Sequence, residues 1–395
     1  MTSTLPLTGI TVADFSRVLA GPLCTMMLAD AGARVIKVER PGSGDDTRQW
    51  GPPFIDKESA YFLSVNRNKE SLTIDLKSAP GQEVARRLIA RSDVVIDNFL
   101  PIQRERFGLT APQVHRYRSN AICCSIAGYP SDGPNAESPG YDLLAQASGG
   151  LMAITGETSR EGVKTGVAIS DILTAHYAHG AILAALHARQ RTGEGSAIEV
   201  SLLGATLASL INVAQNHLIS GSEAQRWGNS HASIVPYGAF HASDGQFVVA
   251  VGTDAQFEQL CRAVLRREDL AVDERFRENR ARVIRRDELV SILNTIFAEA
   301  TVAQWVDRCV RADIPASPVE PVSRAMSSHT AKSMVDSAPH PTLGTIRVMG
   351  SPVVLNGRRL PTRSAPPVLG EHTKAILAEL GFTNEEADAI ENVHA

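Results

Sequence analysis

Apolar and polar positions alternate on two periods along this chain, and those periods predict its elements. Ile10 to Phe15 (ITVADF) reads as a short buried strand, Ala20 to Ala31 as a helix packed on it, and Ala33 to Glu39 (ARVIKVE) as the next strand. This strand–helix–strand unit is the mark of a parallel sheet with a right-handed crossover. Ser71 to Leu76 gives a third strand, Pro80 and Gly81 open a helix through Ser92, and Asp93 to Phe99 and Ala121 to Ala127 give two more strands. The alternation predicts a Rossmann-like α/β layer structure over the first 130 residues. Between Val163 and Arg189 the period changes to that of a helix. Ile172, Leu173, Tyr177, Ala178, Ala181, Ile182, Ala185 and Leu186 fall on one buried face. Thr192 to Gly195 is a turn, Ser196 to Leu202 a strand, and Leu202 to Ile219 a second apolar helix.

Beyond Gly221 the pattern changes again. Phe240 to Val251 is a hairpin signal with Asp244–Gly245 at its turn. Residues 255–310 read as charged helices, with RENRARVIRRDE as a solvated face. Asp313 to Val322 is a Pro-rich connector, residues 340–358 resume β-like alternation, and Thr373 to Gly381 is a closing helix. The expected organisation is a large α/β domain over 1–205, a linker over 206–225 and a small α+β domain over 226–312. A second linker follows over 313–339, with a return to the large domain over 340–395.

Composition excludes several classes. With 395 residues, 43% hydrophobic and 21% charged, the chain is of ordinary globular type. A net charge of −4 gives no global pull toward nucleic acid or acidic membrane, so an anionic ligand needs a local basic cluster. Cys24, Cys123, Cys124, Cys261 and Cys309 show no C-x-x-C spacing and read as reduced core residues. No apolar run reaches the roughly 18 residues of a membrane span, and the N-terminus lacks a signal-peptide pattern, so a cytoplasmic protein is expected.

Candidate chemistry is sparse. The loop SRVLAGP after the first strand carries no G-x-G-x-x-G, and G-x-S-x-G, Walker and H-E-x-x-H motifs are absent. Residues 128–170 are rich in Gly, Pro and Ser, and a loop region of that length marks a functional segment. It ends at Asp171, the one acid between Glu161 and Glu194. A carboxylate at a helix start has two readings. It is an N-cap, or it is a nucleophile kept ionised by the free N–H groups and the helix dipole. Arg40, Lys77 and Arg106 follow strands, with Asn98 and Phe99 at another strand end. Such positions suit an adenine nucleotide with phosphates, or are ordinary surface charges. His176 and His179 share a helix face without a third ligand, so no metal is expected there.

These stretches resemble the family III CoA-transferases. The likeness spans nearly the whole chain, through DFSRVLAGP, GARVIKVERPGSGDDTR, NRNKESLTIDLK, DVVIDNF, GYD…ASGGLMAITG, AISD, RTGEGSAIEVSL, SIVPYGAFHASDGQFVVAVG, HPTLG and PPVLGEHT. AQRWGNSHASIVPYGAF is similar to the succinyl-CoA:glutarate branch. The resemblance implies a Rossmann-like large domain for CoA built from both chain ends, a smaller α+β domain, and a homodimer of interlinked rings. It implies acyl-CoA and carboxylic acid substrates, no permanently bound cofactor, and Asp171, in the AISD position, as the nucleophile that forms an aspartyl-CoA thioester. Succinyl-CoA is the implied donor, and glutarate or itaconate the acceptor. For CoA it implies Val18, Leu19 and Ala20 of the first loop, Arg40 and Arg106 at phosphates, Asn98 and Phe99 at the adenosine or pantetheine region, and Ile74 and Lys77 at the adenine end. Formyl-CoA transferase has a glutamine where this chain has Leu19, which argues against oxalate-type chemistry, and its glycine-rich lid has no counterpart here. Gly149 and Gly150 either admit an oxyanion to backbone N–H groups or form a tight turn. Tyr141, Arg226, Asn229, Ser230 and His231 are candidates for the acceptor acid, since a buried second carboxylate needs a cationic or multi-donor partner. Alternatively Arg226 and His231 tie the linker to the small domain. A 2-methylacyl-CoA racemase is a competing reading, but such racemases carry histidine at the Tyr141 position, and a phenol is a poor base at neutral pH. A non-catalytic CoA-binding protein is the third; it has no need of Asp171.

Overall fold

The computed structural model describes residues 5–392. Among them, six parallel strands form one sheet: β1 (Thr11–Asp14), β2 (Arg34–Glu39), β3 (Lys69–Thr73), β4 (Val94–Asp97), β5 (Ile122–Ala127) and β6 (Ser196–Ser201). Their spatial order is β3-β2-β1-β4-β5-β6, so the winding reverses between β1 and β4. Register is continuous from Thr11 opposite Arg34 on one side to Val12 opposite Val94 on the other.

Successive strand residues point to opposite faces, and the two faces collect different helices. Val12, Val35, Val94, Ile122 and Cys124 face α1 (Ala20–Asp30) and Ala175, Ala178 and Ile182 of the long helix that carries Asp171. Ala13, Ile36, Leu72, Val95 and Cys123 face Val84 and Leu88 of α2 (Ala79–Ala90), and Ile376 and Leu377 near the C-terminus. Adjacent Cys123 and Cys124 thus serve different layers, and all five cysteines are free and buried.

The chain forms two compact units. One contains the residues up to Leu151, Lys164–Gly221 and those from Thr330 onward; the other contains Met152–Val163 and Ser222–His329. In the first, α3 (Asp142–Ser148) interrupts the long loop, α4 (Ile169–Thr192) follows, and Gly193 at φ +74° ends that helix. The expected single helix from Leu202 to Ile219 is two, α5 (Leu202–Ser209) and α6 (Asn212–Ser220), bent by 75°. The break falls at Ile211, whose φ of +41° no helix accommodates. The third strand starts two residues before its expected position, because Lys69 pairs with Val35, and Ile74 lies past its end. The C-terminal segment is tied to the sheet edge: the Thr73 N–H donates to Thr373 Oγ1 at 3.0 Å.

In the second unit, β7 (Tyr237–Ala242) and β8 (Gly245–Ala250) form the expected hairpin. The Pro-rich connector supplies β9 (Ala316–Pro318) to its edge, where a proline is tolerated. Phe240, Phe247, Phe297 and Trp305 pack edge-to-face with centroids 5.0–5.1 Å apart. The charged stretch 277–288 is not uniformly solvated. Arg282 is fully buried, donating to the carbonyls of Val235, Phe276 and Arg277 and pairing with Asp254 at 2.8 Å. Five fixed donors let a guanidinium close several backbone carbonyls at once. Among the described residues, no single helix is long and apolar enough to cross a membrane.

Candidate active site

Open α/β sheets bind ligands beyond the carboxyl ends of their strands, where the strand order reverses. Here that point lies between the loops after β1 and β4. Asn98 joins them in both directions, accepting from the Arg17 N–H at 3.0 Å and donating to the Arg17 carbonyl at 2.7 Å. Two clefts meet there, of about 370 and 260 Å³, sharing Arg17, Phe99 and Gln103. Arg40, Ile74, Lys77 and Phe99 line the first. Val18, Leu19, Ala20, Asn98, Phe99, Tyr141 and Asp171 line the second. The structure therefore gathers most of the sequence-derived candidates from loops as far apart along the chain as Val18 and Asp171.

Others fall elsewhere. Arg106 lines neither cleft but a separate groove with Arg86 and Arg116. Gly149 commits its N–H to the Ala145 carbonyl at 2.8 Å, and Gly150 has φ +79°, so the turn accounts for both glycines. Neither lines the two clefts. In the second unit, Arg226 donates to the Ala153 carbonyl at 2.9 Å and the Glu157 carbonyl at 3.4 Å. His231 packs on Tyr237, with ring centroids 5.4 Å apart, and accepts from the Ser233 N–H at 3.0 Å. The carbonyl of Asn229 and the side chain of Ser230 lie against Gly238. Asn229, Ser230 and His231 thus lie against their own hairpin, and Arg226 binds the backbone of residues 153–157. His176 accepts no special partner: its Nδ1 faces the Ile172 carbonyl of its own helix at 2.7 Å. Among the described residues, no three potential metal ligands gather.

Asp171 is not the cap of its helix. The N-cap position is Ala168, which has no capping side chain. Asp142, in the first turn of α3, takes that task from 29 residues away. Its Oδ1 accepts from the N–H of Ser170 at 2.8 Å and of Asp171 at 3.4 Å. Its Oδ2 accepts from Gln146 Nε2, and Gln146 Oε1 in turn accepts from the Thr165 N–H. The Asp171 carboxylate is thereby left to the cleft. Burial and the neighbouring Asp142 carboxylate push its pKa up to about 7. The expectation of a carboxylate held strongly ionised by the helix start is reversed, because another acid occupies those N–H groups. Tyr61 lies in the field of the same acids; burial first, then Asp171 and Asp142, raise its phenol to about 12, so it stays protonated. Trp50 packs edge-on against it at 5.3 Å.

The charges around Lys37, Glu39 and Asp45 of the first cleft have the opposite character. Lys37 and Lys69, in adjacent strands, are wholly buried. Lys37 pairs with Asp45 at 2.8 Å and Lys69 with Asp14 at 3.3 Å. Arg48 meets Glu39 with two donors at 2.8 Å, and its guanidinium lies over the Phe62 ring. Burial alone would raise these acids, but Lys37 and the Thr47 donors hold Asp45 down at about 2.

The sequence profile of CoA-transferase family III matches residues 7–373. The chain belongs to that family. It is a CoA-transferase, and CoA esters are its substrates. It is 43% identical over 377 residues to the succinyl-CoA:glutarate CoA-transferase of Mus musculus, covering 95% of this chain and 86% of that protein. It is 38% identical to the succinate–glutarate CoA-transferase of Agrobacterium fabrum, covering 95% and 96% of the two chains. A CaiB/BaiF family protein from Brucella suis superposes with a TM-score of 0.85 at 38% identity, covering 96% of this chain and all of that one.

Several residues of this CoA-transferase's clefts carried no signal of their own. Asp142 follows Tyr141 but sits in a stretch without period. Tyr61 lies next to the NRNK motif. Arg17 lines both clefts, and its Nε is buried without a hydrogen-bond partner among the described residues. Lys37 was visible as a charge at an inward position of an otherwise apolar strand, where a buried charge requires a partner.

Proposed function

We propose that this enzyme transfers CoA from succinyl-CoA to a short dicarboxylate such as glutarate or itaconate, with Asp171 as the covalent carrier. The observation that carries the reading is Asp171 itself: a carboxylate open to a cleft at the switch point, made more basic by burial and by Asp142. Greater basicity makes an ionised carboxylate a better nucleophile. Its oxygen attacks the succinyl thioester carbonyl, CoA leaves as thiolate, and a mixed anhydride remains. The thiolate attacks the aspartyl carbonyl, releasing succinate and forming aspartyl-CoA. The acceptor carboxylate attacks that thioester, and the returning thiolate takes the acceptor acyl group, restoring Asp171. Each step exchanges one activated acyl bond for another, so no nucleotide triphosphate is consumed.

The first cleft takes the nucleotide end of CoA. Arg40 and Lys77 supply cations for its phosphates, Ile74 and Phe99 the apolar surface for adenine. Arg106, in its own groove, is not part of this arrangement. The second cleft takes the pantetheine and acyl ends, between Val18, Ala20, Asn98 and Tyr141. Arg17 is the cation of that lining suited to a dicarboxylate's second charge. Names of similar proteins from mouse and Agrobacterium support the dicarboxylate choice. The first unit serves as the CoA domain and the hairpin unit as the small domain of an interlinked homodimer. Exposed Ile211, Leu218 and Ile219 in and beside α6 are the kind of apolar surface a second chain covers.

The test is a panel of acyl-CoA donors against free acids, read by mass spectrometry, with hydroxylamine trapping of the enzyme. Succinyl-CoA with glutarate should give the fastest exchange, and the modified peptide should contain Asp171. A label on another residue would sink the assignment. Arg40→Ala should raise KM by about 10- to 100-fold for every CoA ester alike, the worth of a charge-assisted bond.

A further inference from the structure

The loop after β1 carries a β-branched residue in a conformation that favours glycine. Val18 has φ +72°, a genuine outlier for such a side chain. Backbone strain of this kind persists only where neighbours over-determine it, and it collects at functional sites. Two sets of neighbours do so here. Asn98 grips the preceding residue through both the N–H and the carbonyl of Arg17. The Val18 N–H itself is directed at Asp45, 3.2 and 3.3 Å from the two carboxylate oxygens.

Asp45 is in turn held at both carboxylate oxygens. Lys37 Nζ lies 2.8 Å from one oxygen, and the Thr47 N–H and hydroxyl lie 2.9 and 2.8 Å from the other. Lys37 also donates to the Ser16 carbonyl at 2.9 Å, one more tie to the same loop. Lys37 and Asp45 line the first cleft, while Val18 lines the second beside Asp171. Through its hold on the Val18 N–H, one buried ion pair of the first cleft therefore reaches the edge of the second.

We propose that Asp45 is a positioning residue: seated on Lys37, it holds Val18 in the left-handed conformation and so fixes the edge of the cleft that Asp171 lines. The nucleotide end and the thioester end of the site are then built on one rigid support. This rests on the reading of the two clefts as one CoA-ester site. Asp45 touches no reacting atom; it acts through the Val18 backbone.

A double-mutant cycle on kcat isolates that route. Asp45→Asn in the wild-type background should lower kcat by about 10- to 100-fold, the rate equivalent of the strain such a residue stores. In the Val18→Gly background the same change should cost less than about threefold, because glycine adopts positive φ without steric cost. Equal losses in the two backgrounds would overturn the proposal, since Asp45 would then act without Val18. Full activity of Asp45→Asn would overturn it as well. If Asp45→Asn fails to fold, Thr47→Val decides. It leaves the ion pair intact, and its smaller loss should likewise vanish with Val18→Gly. Wild-type transfer from succinyl-CoA checks the site reading separately; without it that reading fails, and the cycle is scored on the Kd of free CoA.

Discussion

The buried carboxylates Asp14, Glu39 and Asp45 and the half-buried Asp171 stand in one unit of this chain and titrate in opposite directions. Asp14, Glu39 and Asp45 all lie below their usual range, although burial pushes each of them up. Each has a cation in contact: Lys69, Arg48 and Lys37 respectively. At the start of α4, Asp171 has no ion-pair partner among the described residues, only burial and the like charge of Asp142, and rises to about 7. Asp97 shows how narrow the balance is. With Arg104 at 3.1 Å and nearly complete burial, it still lies above the usual range. Burial sets the starting point, and the number and sign of neighbours decide the outcome. The paired acids are thus a fixed support, while Asp171 is a group whose charge is open to chemistry.

Breaking the Asp171 side of this contrast should have the largest effect. Asp171→Asn should reduce transfer by about 10⁴-fold, the scale of losing a nucleophile, because an amide cannot carry CoA. The same variant should be more stable than wild type at pH 8, by about 2–4 kcal/mol, because the wild-type carboxyl is pushed up to about 7. The sign follows from the raised pKa. Between pH 4 and 7 the folded chain keeps a proton that the unfolded chain releases, so wild-type stability falls across that window. The advantage of Asp171→Asn should shrink to nothing near pH 4. Urea midpoints at the two pH values check it, and a variant no more stable at pH 8 would contradict the raised pKa.

Breaking the other side should cost stability. Lys37→Met leaves Asp45 buried without its cation, and losing one partner of a buried pair costs about 3–5 kcal/mol. Chemical denaturation should show a lower midpoint with little change in slope. A loss below about 1 kcal/mol would mean that water or rearrangement replaces the pair.

The smallest effect sharpens the comparison. Asp142→Asn removes the like charge while keeping an oxygen at the helix start. The acid limb of kcat/KM, set by ionisation of Asp171 near pH 7, should move down by about one unit. An unmoved limb would assign the rise in Asp171 to burial alone.

The alternation of short apolar runs with helical faces was enough to predict the parallel sheet, the crossover helices and the hairpin, because each is dictated by a period of two or 3.6 within one segment. Asp171 stood out as an isolated acid at a helix start, and its AISD position in the family resemblance made it the nucleophile candidate. What it does there was not legible. Its capping competitor Asp142 lies 29 residues earlier, in a stretch where Gly and Pro erase any period. Arg226 and His231 looked like acid-binding groups, yet in the folded unit they are engaged by nearby backbone and a ring. Arg106 looked equivalent to Arg40 because both follow strands, but a short helix, Pro101–Arg106, carries it to another groove.

Local order, the identity of the nucleophile candidate and the family came from the sequence by itself, since each depends on residues near one another along the chain or on their order. Acidity, strain and the composition of the clefts were decided only by tertiary structure. A carboxylate's charge depends on which groups lie within a few ångströms and how much water remains, and Asp142, Lys37 and Asp45 reach their partners only across folded segments. Val18 makes the same point for the backbone. Nothing in SRVLAGP announces a left-handed valine, because the carboxylate directed at its N–H belongs to a loop 27 residues away.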